Sequence, residues 1–321
     1  MRIVVTGANG FLGNNLAAAL LDDGHKVVAA DRARSAALDD LEVEFAEIDV
    51  LDRHSLVAAF DGADAVFHLA AIISITGDPD GTVERVNVQG PRNAAEAALE
   101  VGVTRFVHCS SVHAYDLRTC GPSLDETGPR TVNPHAPAYD RTKFAGEQQV
   151  RAVVARGLDA VIVNPTGVFG PRDFGGSRIG ETMQQLRTGQ IPVTVTGGFD
   201  FVDVRDVAQG MLGALARGRT GENYLLSGTR ISIRELGQLV ATVEETRPPR
   251  IDIPLGLVKP LAPLVELLTP SGTLPLFTQD SLHALEFSPA VSHYKAATEL
   301  GYASRPIHVS VGDAMQWMRD R

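Results

Sequence analysis

Eight residues near the start constrain this chain most: Thr6-Gly7-Ala8-Asn9-Gly10-Phe11-Leu12-Gly13. They follow a short apolar run, Arg2 to Thr6, of strand length. They open an amphipathic run, Phe11 to Asp23, of helix length. A glycine-rich turn in that context is a dinucleotide-binding signal. Gly7 permits the tight turn, Gly10 lets a pyrophosphate approach without a Cβ in the way, and Gly13 lets helix close on strand. The helix N-terminus adds unpaired amides and the positive end of a dipole. The spacing is Gly-x-x-Gly-x-x-Gly rather than Gly-x-Gly-x-x-Gly, so the glycines need company. Gly7, Asn9, Gly10, Phe11, Leu12 and Gly13 are the expected cradle.

Asp31 is part of that company. It ends a second strand, Lys26 to Ala30, 21 residues after Gly10. A carboxylate there accepts from both ribose hydroxyls and repels a 2′-phosphate, which favours NAD. Arg32 and Arg34 pull the other way, since a guanidinium can clamp that phosphate; NADP therefore stays open. Asp49-Val50 ends a third strand, Val43 to Ile48. Asp49 suits the adenine amino group and the Val50 amide a ring nitrogen; a helix cap before Arg53 explains Asp49 equally well.

Strand-length and helix-length runs go on alternating. Helices are expected at Arg53 to Phe60, Val83 to Val101 and Tyr139 to Arg156, and strands at Ala65 to Leu69, Arg105 to Cys109 and Ala160 to Val163. Such alternation predicts βαβ units, and hence an α/β, doubly wound parallel sheet of Rossmann type. After Pro165 the chain becomes rich in Gly and Pro, then helix-like at Ile179–Thr188, Val204–Arg217 and Ile233–Glu245. The expected division is a dinucleotide-binding domain at 1–170, to which 199–228 return, and a smaller, mostly helical substrate lobe at 171–198 and 229–321.

Composition removes several classes. The net charge of −10 argues against a general nucleic-acid binder. Two cysteines, Cys109 and Cys120, make neither a disulfide scaffold nor a Cys-rich zinc module, and no metal is expected. No apolar run reaches the length of a membrane span, and nothing resembles a secretory leader. The expectation is a cytoplasmic, reduced protein.

Chemistry enters with Tyr139-Asp140-Arg141-Thr142-Lys143. On a helix, Tyr139 and Lys143 share a face one turn apart. An ammonium beside a phenol favours phenolate, lowering its pKa, and equips it for proton transfer at a carbonyl or carbinol oxygen. Lys143 can also reach the nicotinamide ribose. Tyr-x-x-x-Lys alone usually marks an exposed helix face. Here Ser110-Ser111 ends the strand before it, at the sheet edge where α/β folds bind ligands.

These motifs together resemble the extended short-chain dehydrogenase/reductase superfamily, of the NAD-dependent epimerase/dehydratase type. The resemblance also rests on His68-Leu69-Ala70-Ala71, Asn87-Val88-Gln89-Gly90, Pro165-Thr166-Gly167-Val168-Phe169-Gly170-Pro171 and Phe201 to Ala208. It implies that Ser111 orients the substrate, that Tyr139 is the general acid/base and that Lys143 activates it. It implies cofactor contacts for Leu69, Ala70 and Ala71 at the riboses, for Ser110 and Pro165, and for Val168 at the carboxamide. Asn87 is implied to be a further cofactor-site residue that braces the active-site strand. A homodimer through the two long helices is implied as well, with Ala94, Ala95, Ala97, Ala98 and Leu99 as small faces that suit it; they suit packing on the sheet equally.

Departures sharpen the reading. Val112-His113 stands where sugar-nucleotide dehydratases carry Asp-Glu, which disfavours dehydration. Asn164-Pro165 stands where many sugar-nucleotide epimerases have Arg-Pro, and looks more like the dihydroflavonol-reductase and 3β-hydroxysteroid-dehydrogenase branches. Ser111, His113 and Asn164 are the candidate substrate contacts. The apolar stretch Pro254 to Pro270 suits a hydrophobic substrate wall or simple lobe core. The expected activity is NAD(P)-dependent hydride transfer between nicotinamide and an apolar ketone, aldehyde or secondary alcohol. A sugar-nucleotide epimerase, with Arg172, Arg178 and Arg187 available to a diphosphate, is the second reading. A dinucleotide-sensing protein without turnover is the third.

Overall fold

The computed structural model describes residues 1–74, 77–258 and 285–321. Its centre is a seven-stranded, all-parallel sheet. In chain order the first elements are β1 (Arg2–Thr6), α1 (Phe11–Asp22), β2 (Lys26–Asp31), β3 (Glu44–Glu47), α2 (Arg53–Phe60) and β4 (Ala65–His68). A broken helical run follows: α3 (Thr82–Glu84), a π turn (Arg85–Gln89) and α4 (Gly90–Glu100). Then come β5 (Arg105–Cys109), β6 (Ser123–Leu124), α5 (Ala138–Val154), β7 (Ala160–Pro165), β8 (Gly167–Phe169), α6 (Arg178–Arg187), β9 (Val193–Val195), β10 (Gly198–Asp203), α7 (Val204–Arg217) and β11 (Asn223–Leu226). The chain continues as β12 (Thr229–Ser232), α8 (Ile233–Glu244), β13 (Ile251–Ile253), α9 (Leu255–Val258), β14 (Ala290–Val291), α10 (Tyr294–Leu300) and α11 (Ile307–Arg319).

The sheet order is β11-β7-β5-β4-β1-β2-β3. The chain reverses its direction of winding between β1 and β4, and a crevice opens there beyond the strands' carboxyl ends. The strand interiors are apolar on both faces because helices cover both. On one side Leu16, Leu20, Val207, Met211 and Leu300 pack against Ile3, Val5 and Phe67. On the other Leu56, Phe60, Ala94, Ala98 and Val150 pack against Val4, Val66 and Phe106. Ala94, Ala95, Ala97 and Ala98 are fully buried in this second layer. They pack on the sheet and offer no surface to a second chain.

Two expectations change. The sheet gains β11, whose four residues, Asn-Tyr-Leu-Leu, are too few for a periodicity to show. The helix expected from Val83 to Val101 is interrupted by its π turn. Pro91 explains this: it has no amide to give the Asn87 carbonyl, and its ring crowds that oxygen, so the bonding register slips. The freed turn lets α5 come close, since a Cβ on Gly146 would sit 2.4 Å from the Asn87 oxygen.

Beyond β7 the chain leaves the sheet. β8 pairs parallel with β10, which pairs antiparallel with β12. α6, α8 and α11 close over them around Phe169, Met183, Leu236, Val240 and Met315. β9 pairs with β13. None of the described helices is long and apolar enough to cross a membrane.

Candidate active site

The turn after β1 faces the turn after β4 across the crevice. Gly7 has φ +72°, and a Cβ there would lie 2.8 Å from the Ala70 amide nitrogen. Thr6 joins the two turns: its Oγ1 hydrogen-bonds His68 Nδ1 at 2.8 Å and accepts from the Leu69 and Ala70 amides at 3.3 and 3.4 Å. A Cβ on Gly13 would fall 2.1 Å from the Gly7 oxygen, so helix and strand touch through backbone. α1 starts at Gly10 with no side-chain cap and no acid in its first turn. Its leading amides, with no intrahelical partners, are left for an anion.

The cleft that follows has a volume of about 820 Å³. Gly7, Gly10, Phe11, Leu12, Gly13, Asp31, Arg32, Asp49, Val50, Leu69, Ala70 and Ala71 line one end. Ser110, Ser111, Tyr139, Lys143, Pro165 and Val168 line the other. Buried Ser110 Oγ has no hydrogen-bond partner, so the cleft holds a polar group awaiting one. Length, uncapped helix and orphaned hydroxyl fit a dinucleotide.

Two expected contacts stand behind the cleft instead of in it. Asn9 takes Ser35 Oγ and gives to the Ala33 carbonyl, and its own amide donates to Asp31 Oδ2 at 3.0 Å. Asn87 exchanges two bonds with the Ile72 backbone and gives a third to Thr142 Oγ1 at 3.2 Å. It ties the loop after β4 to α5, rather than bracing β5. Asp31 also accepts from the Arg32 amide at 2.8 Å. Arg34 is committed to the Leu38 carbonyl, which leaves Arg32 as the guanidinium beside the ribose end. Asp49 accepts from the Leu51 amide, while Asp52, and not Asp49, caps α2.

Ser111, Tyr139 and Lys143 meet at the far end. Lys143 Nζ donates to the Cys109 carbonyl at 3.0 Å, and burial pushes its ammonium pKa down. Burial also pushes the Tyr139 phenol above its ordinary value, opposed by its hydrogen bond with Ser111. The expectation was the reverse. Desolvation outweighs any help from Lys143, whose charge is spent on a strand-end carbonyl. Burial thus favours the neutral phenol at Tyr139. Cys109 is buried, and its thiol is pushed up to about 11.

Asn164 does not line the cleft. Fully buried, its amide donates to the Ser111 carbonyl at 2.9 Å and to Glu147 Oε1 at 2.7 Å. Glu147 also accepts from Asn223 and Arg130, and Asn223 donates to Asn164 Oδ1 at 2.7 Å. This network joins α5, β7 and β11 to the backbone of Ser111. Sequence reasoning passed over Glu147, Asn223 and Arg130. Glu147 had a signal: it continues the Tyr139–Lys143 stripe by one more turn. Asn223 and Arg130 had none.

A second cavity, of about 470 Å³, adjoins the cleft. Ile73, His113, Tyr139, Arg178, Ile179 and Phe199 line both. Its other walls include Leu117, Ile191, Val193, Val195, Phe201, Ile233 and Phe287. Leu255 and Val258, which open the apolar stretch beginning at Pro254, pack on Val195. Residues 259–270 of that stretch lie outside the described residues.

A family model described as the NAD dependent epimerase/dehydratase family matches residues 3–227. "Sterol demethylase protein B" of Methylococcus capsulatus is 37% identical, covering 100% of this chain and 99% of its own. A "putative dihydroflavonol 4-reductase" of Synechocystis sp. is 32% identical over 98% and 94%. Among solved structures, the Bordetella bronchiseptica enzyme WbmH in complex with NAD+ superposes with a TM-score of 0.76. It is 25% identical, over 99% of this chain and 98% of that one.

Proposed function

The chain belongs to the NAD dependent epimerase/dehydratase family, and from that premise we propose that it is an oxidoreductase acting on a bulky apolar ketone, or on the matching secondary alcohol. The observation that carries this reading is the apolar cavity that opens directly on Tyr139. A nucleoside diphosphate would ask that cavity for paired cations. Of the three candidate arginines, Arg172 is held by Asp40 and Arg187 lies against Glu244, both outside the cavity walls. Arg178 alone of them lines it, and Arg118, which also lines it, lies beside Asp116.

In this reading the cradle at Gly7–Gly13 holds the pyrophosphate, Asp31 the adenosine ribose, and Lys143 with Ser110 the nicotinamide end. NAD when bound supplies or accepts the hydride. The chain's own residues do the rest. Ser111 Oγ and the Tyr139 hydroxyl bind the carbonyl oxygen, Tyr139 gives it a proton as charge develops there, and the apolar walls exclude water. Asp31, with both oxygens engaged by backbone amides at the ribose end, supports NAD over NADP.

The test is loss of reduced-nicotinamide absorbance, with NADH and NADPH supplied separately, against steroid, flavanonol and aryl ketones. Turnover that vanishes in Tyr139→Phe supports the reading. NAD released on denaturation, stabilisation by nucleotide sugars and no ketone turnover would replace it with the epimerase reading.

A further inference from the structure

The chain crosses from the seven-stranded sheet into the lobe's three-stranded sheet at Thr166, between β7 and β8, and again at Ser227-Gly228, between β11 and β12. One side chain on β10 holds both crossings. Asp200 Oδ1 accepts from Thr166 Oγ1 at 2.6 Å and from the Gly228 amide at 2.8 Å. β10 is the middle strand of the smaller sheet, and its backbone runs hard against both places. A Cβ on Gly167 would lie 3.0 Å from the Asp200 backbone oxygen, and one on Gly228 2.1 Å from the Phe201 oxygen.

This carboxylate is costly to keep. Asp200 is 4% exposed, and burial pushes its pKa up. Arg230 and His293 act on it only from a distance. Arg230 gives its Nε–H to the Ser288 carbonyl, and His293 Nδ1 bonds Ser227 Oγ. A buried carboxylate without a contacting cation lowers stability. Its place in the site gives it a use. Its neighbours on β10, Phe199 and Phe201, line the apolar cavity, and Phe199 also lines the cofactor cleft. Thr166 lines that cleft with Pro165, Gly167 and Val168, at the end that holds Tyr139 and Lys143. A single strand therefore carries part of the cavity wall and the anchor of the turn at the cleft's far end.

We propose that Asp200 is a positioning residue for the nicotinamide: by tying Thr166 to Gly228 it fixes the turn at Pro165 to Val168 against which the ring seats. The proposal rests on the reading that this end of the cleft takes the nicotinamide. Oδ1 alone accepts both bonds, so an amide oxygen can replace it. Asp200→Asn keeps the joint. Asp200→Ala leaves the Thr166 hydroxyl and the Gly228 amide without their acceptor and frees the turn. The adenosine end, built on the turns after β1, β2 and β4, is touched by neither change.

The test is calorimetric titration with NADH and with ADP-ribose, which lacks the nicotinamide. The ratio of the two Kd values isolates what the nicotinamide contributes. Wild type should bind NADH more tightly. Asp200→Ala should bind ADP-ribose as wild type does, with its preference for NADH reduced roughly 10-fold, the worth of about one hydrogen bond. Asp200→Asn should restore the wild-type ratio, which a role in charge alone would not allow. Thr166→Val severs one of the two bonds and should move the ratio in the same direction; it carries the test if Asp200→Ala does not fold. In the ketone assay Asp200→Ala should lower kcat roughly 100-fold with a smaller change in KM, since a misplaced ring reacts poorly. An unchanged ratio in Asp200→Ala or Thr166→Val, a parallel loss of ADP-ribose binding, or an Asp200→Asn protein that behaves like Asp200→Ala overturns the proposal. Equal affinity of wild type for the two ligands overturns the nicotinamide reading beneath it. The expected ratios without ketone turnover in wild type support the proposal and remove the ketone from the proposed function.

Discussion

Tyr139 illustrates how one residue's environment decides its role. A phenol pushed up by burial stays protonated at neutral pH, as the proposed reduction requires of its proton donor. Tyr139→Phe should cut kcat for ketone reduction by roughly 1000-fold. NADH binding, followed by fluorescence titration, should survive, because the cradle is untouched; equal loss of both would mean the site had collapsed. Glu147 acts at one remove. It is a buried carboxylate facing donors from Asn164, Asn223 and Arg130, so Glu147→Gln turns an amide NH2 toward groups that are themselves donors. The expected cost is about 3 kcal/mol in denaturant unfolding. Because Asn164 also holds the Ser111 carbonyl, kcat should fall more than KM rises. An unchanged unfolding midpoint would show that the network carries no weight.

Among the elements, α5 matters most, because it carries Tyr139, Asp140, Lys143 and Glu147 on a single rigid support. Its position depends on the broken helix beneath it. The π turn at Arg85–Gln89 presents the Asn87 carbonyl, and Gly146 lets α5 settle against it. Gly146→Ala should therefore be harmful, although alanine is the better helix former. The added Cβ meets backbone, which cannot swing away, and α5 must shift. We expect a loss of about 1–3 kcal/mol in stability together with reduced kcat. A gain in thermal midpoint would mean that α5 stands clear of the π turn. The helices were legible from the spacing of their apolar residues, since Arg53–Phe60 and Val204–Arg217 fall where the pattern put them. Period counting was blind to the π turn, because Pro91 acts on a bond and leaves the pattern of side chains intact.

The whole molecule answers to acid through two histidines inside the sheet. His68 on β4 and His108 on β5 stand in register and stack at 5.6 Å. Burial, helped by the Lys143 charge, pulls His68 down to about 3, and burial puts His108 well below its ordinary value. Below about pH 6.5 the unfolded chain takes up protons at both positions that the folded chain refuses. Their contribution is fully present above that pH and is lost as pH falls, at up to about 1.4 kcal/mol per pH unit for each histidine. Denaturant midpoints at pH 7.5 and 5.5 should differ accordingly. His108→Phe, which keeps a ring against His68, should lessen the difference. A variant with the same pH slope as wild type would remove His108 from this account.

Local order determined much of this protein. A glycine turn between a strand and a helix, a carboxylate at the next strand end, and Tyr and Lys four apart are relations within a few residues. Covalent spacing alone settles them, so the sheet, the cradle and the Tyr139–Lys143 pair were legible from the sequence. What tertiary structure decided depends on residues far apart in the chain. Asn164 reads as a substrate contact from its place beside Pro165, yet it turns inward, because Glu147 and Asn223 converge on it from other elements. Arg34 and Arg172 read as anion ligands, yet a loop carbonyl and Asp40 claim them first. His113 reads as a candidate substrate contact two residues after Ser111, and only the docking of α5 sets Asp140 against it. Each outcome is a competition for hydrogen bonds and desolvation among groups that the fold alone brings together.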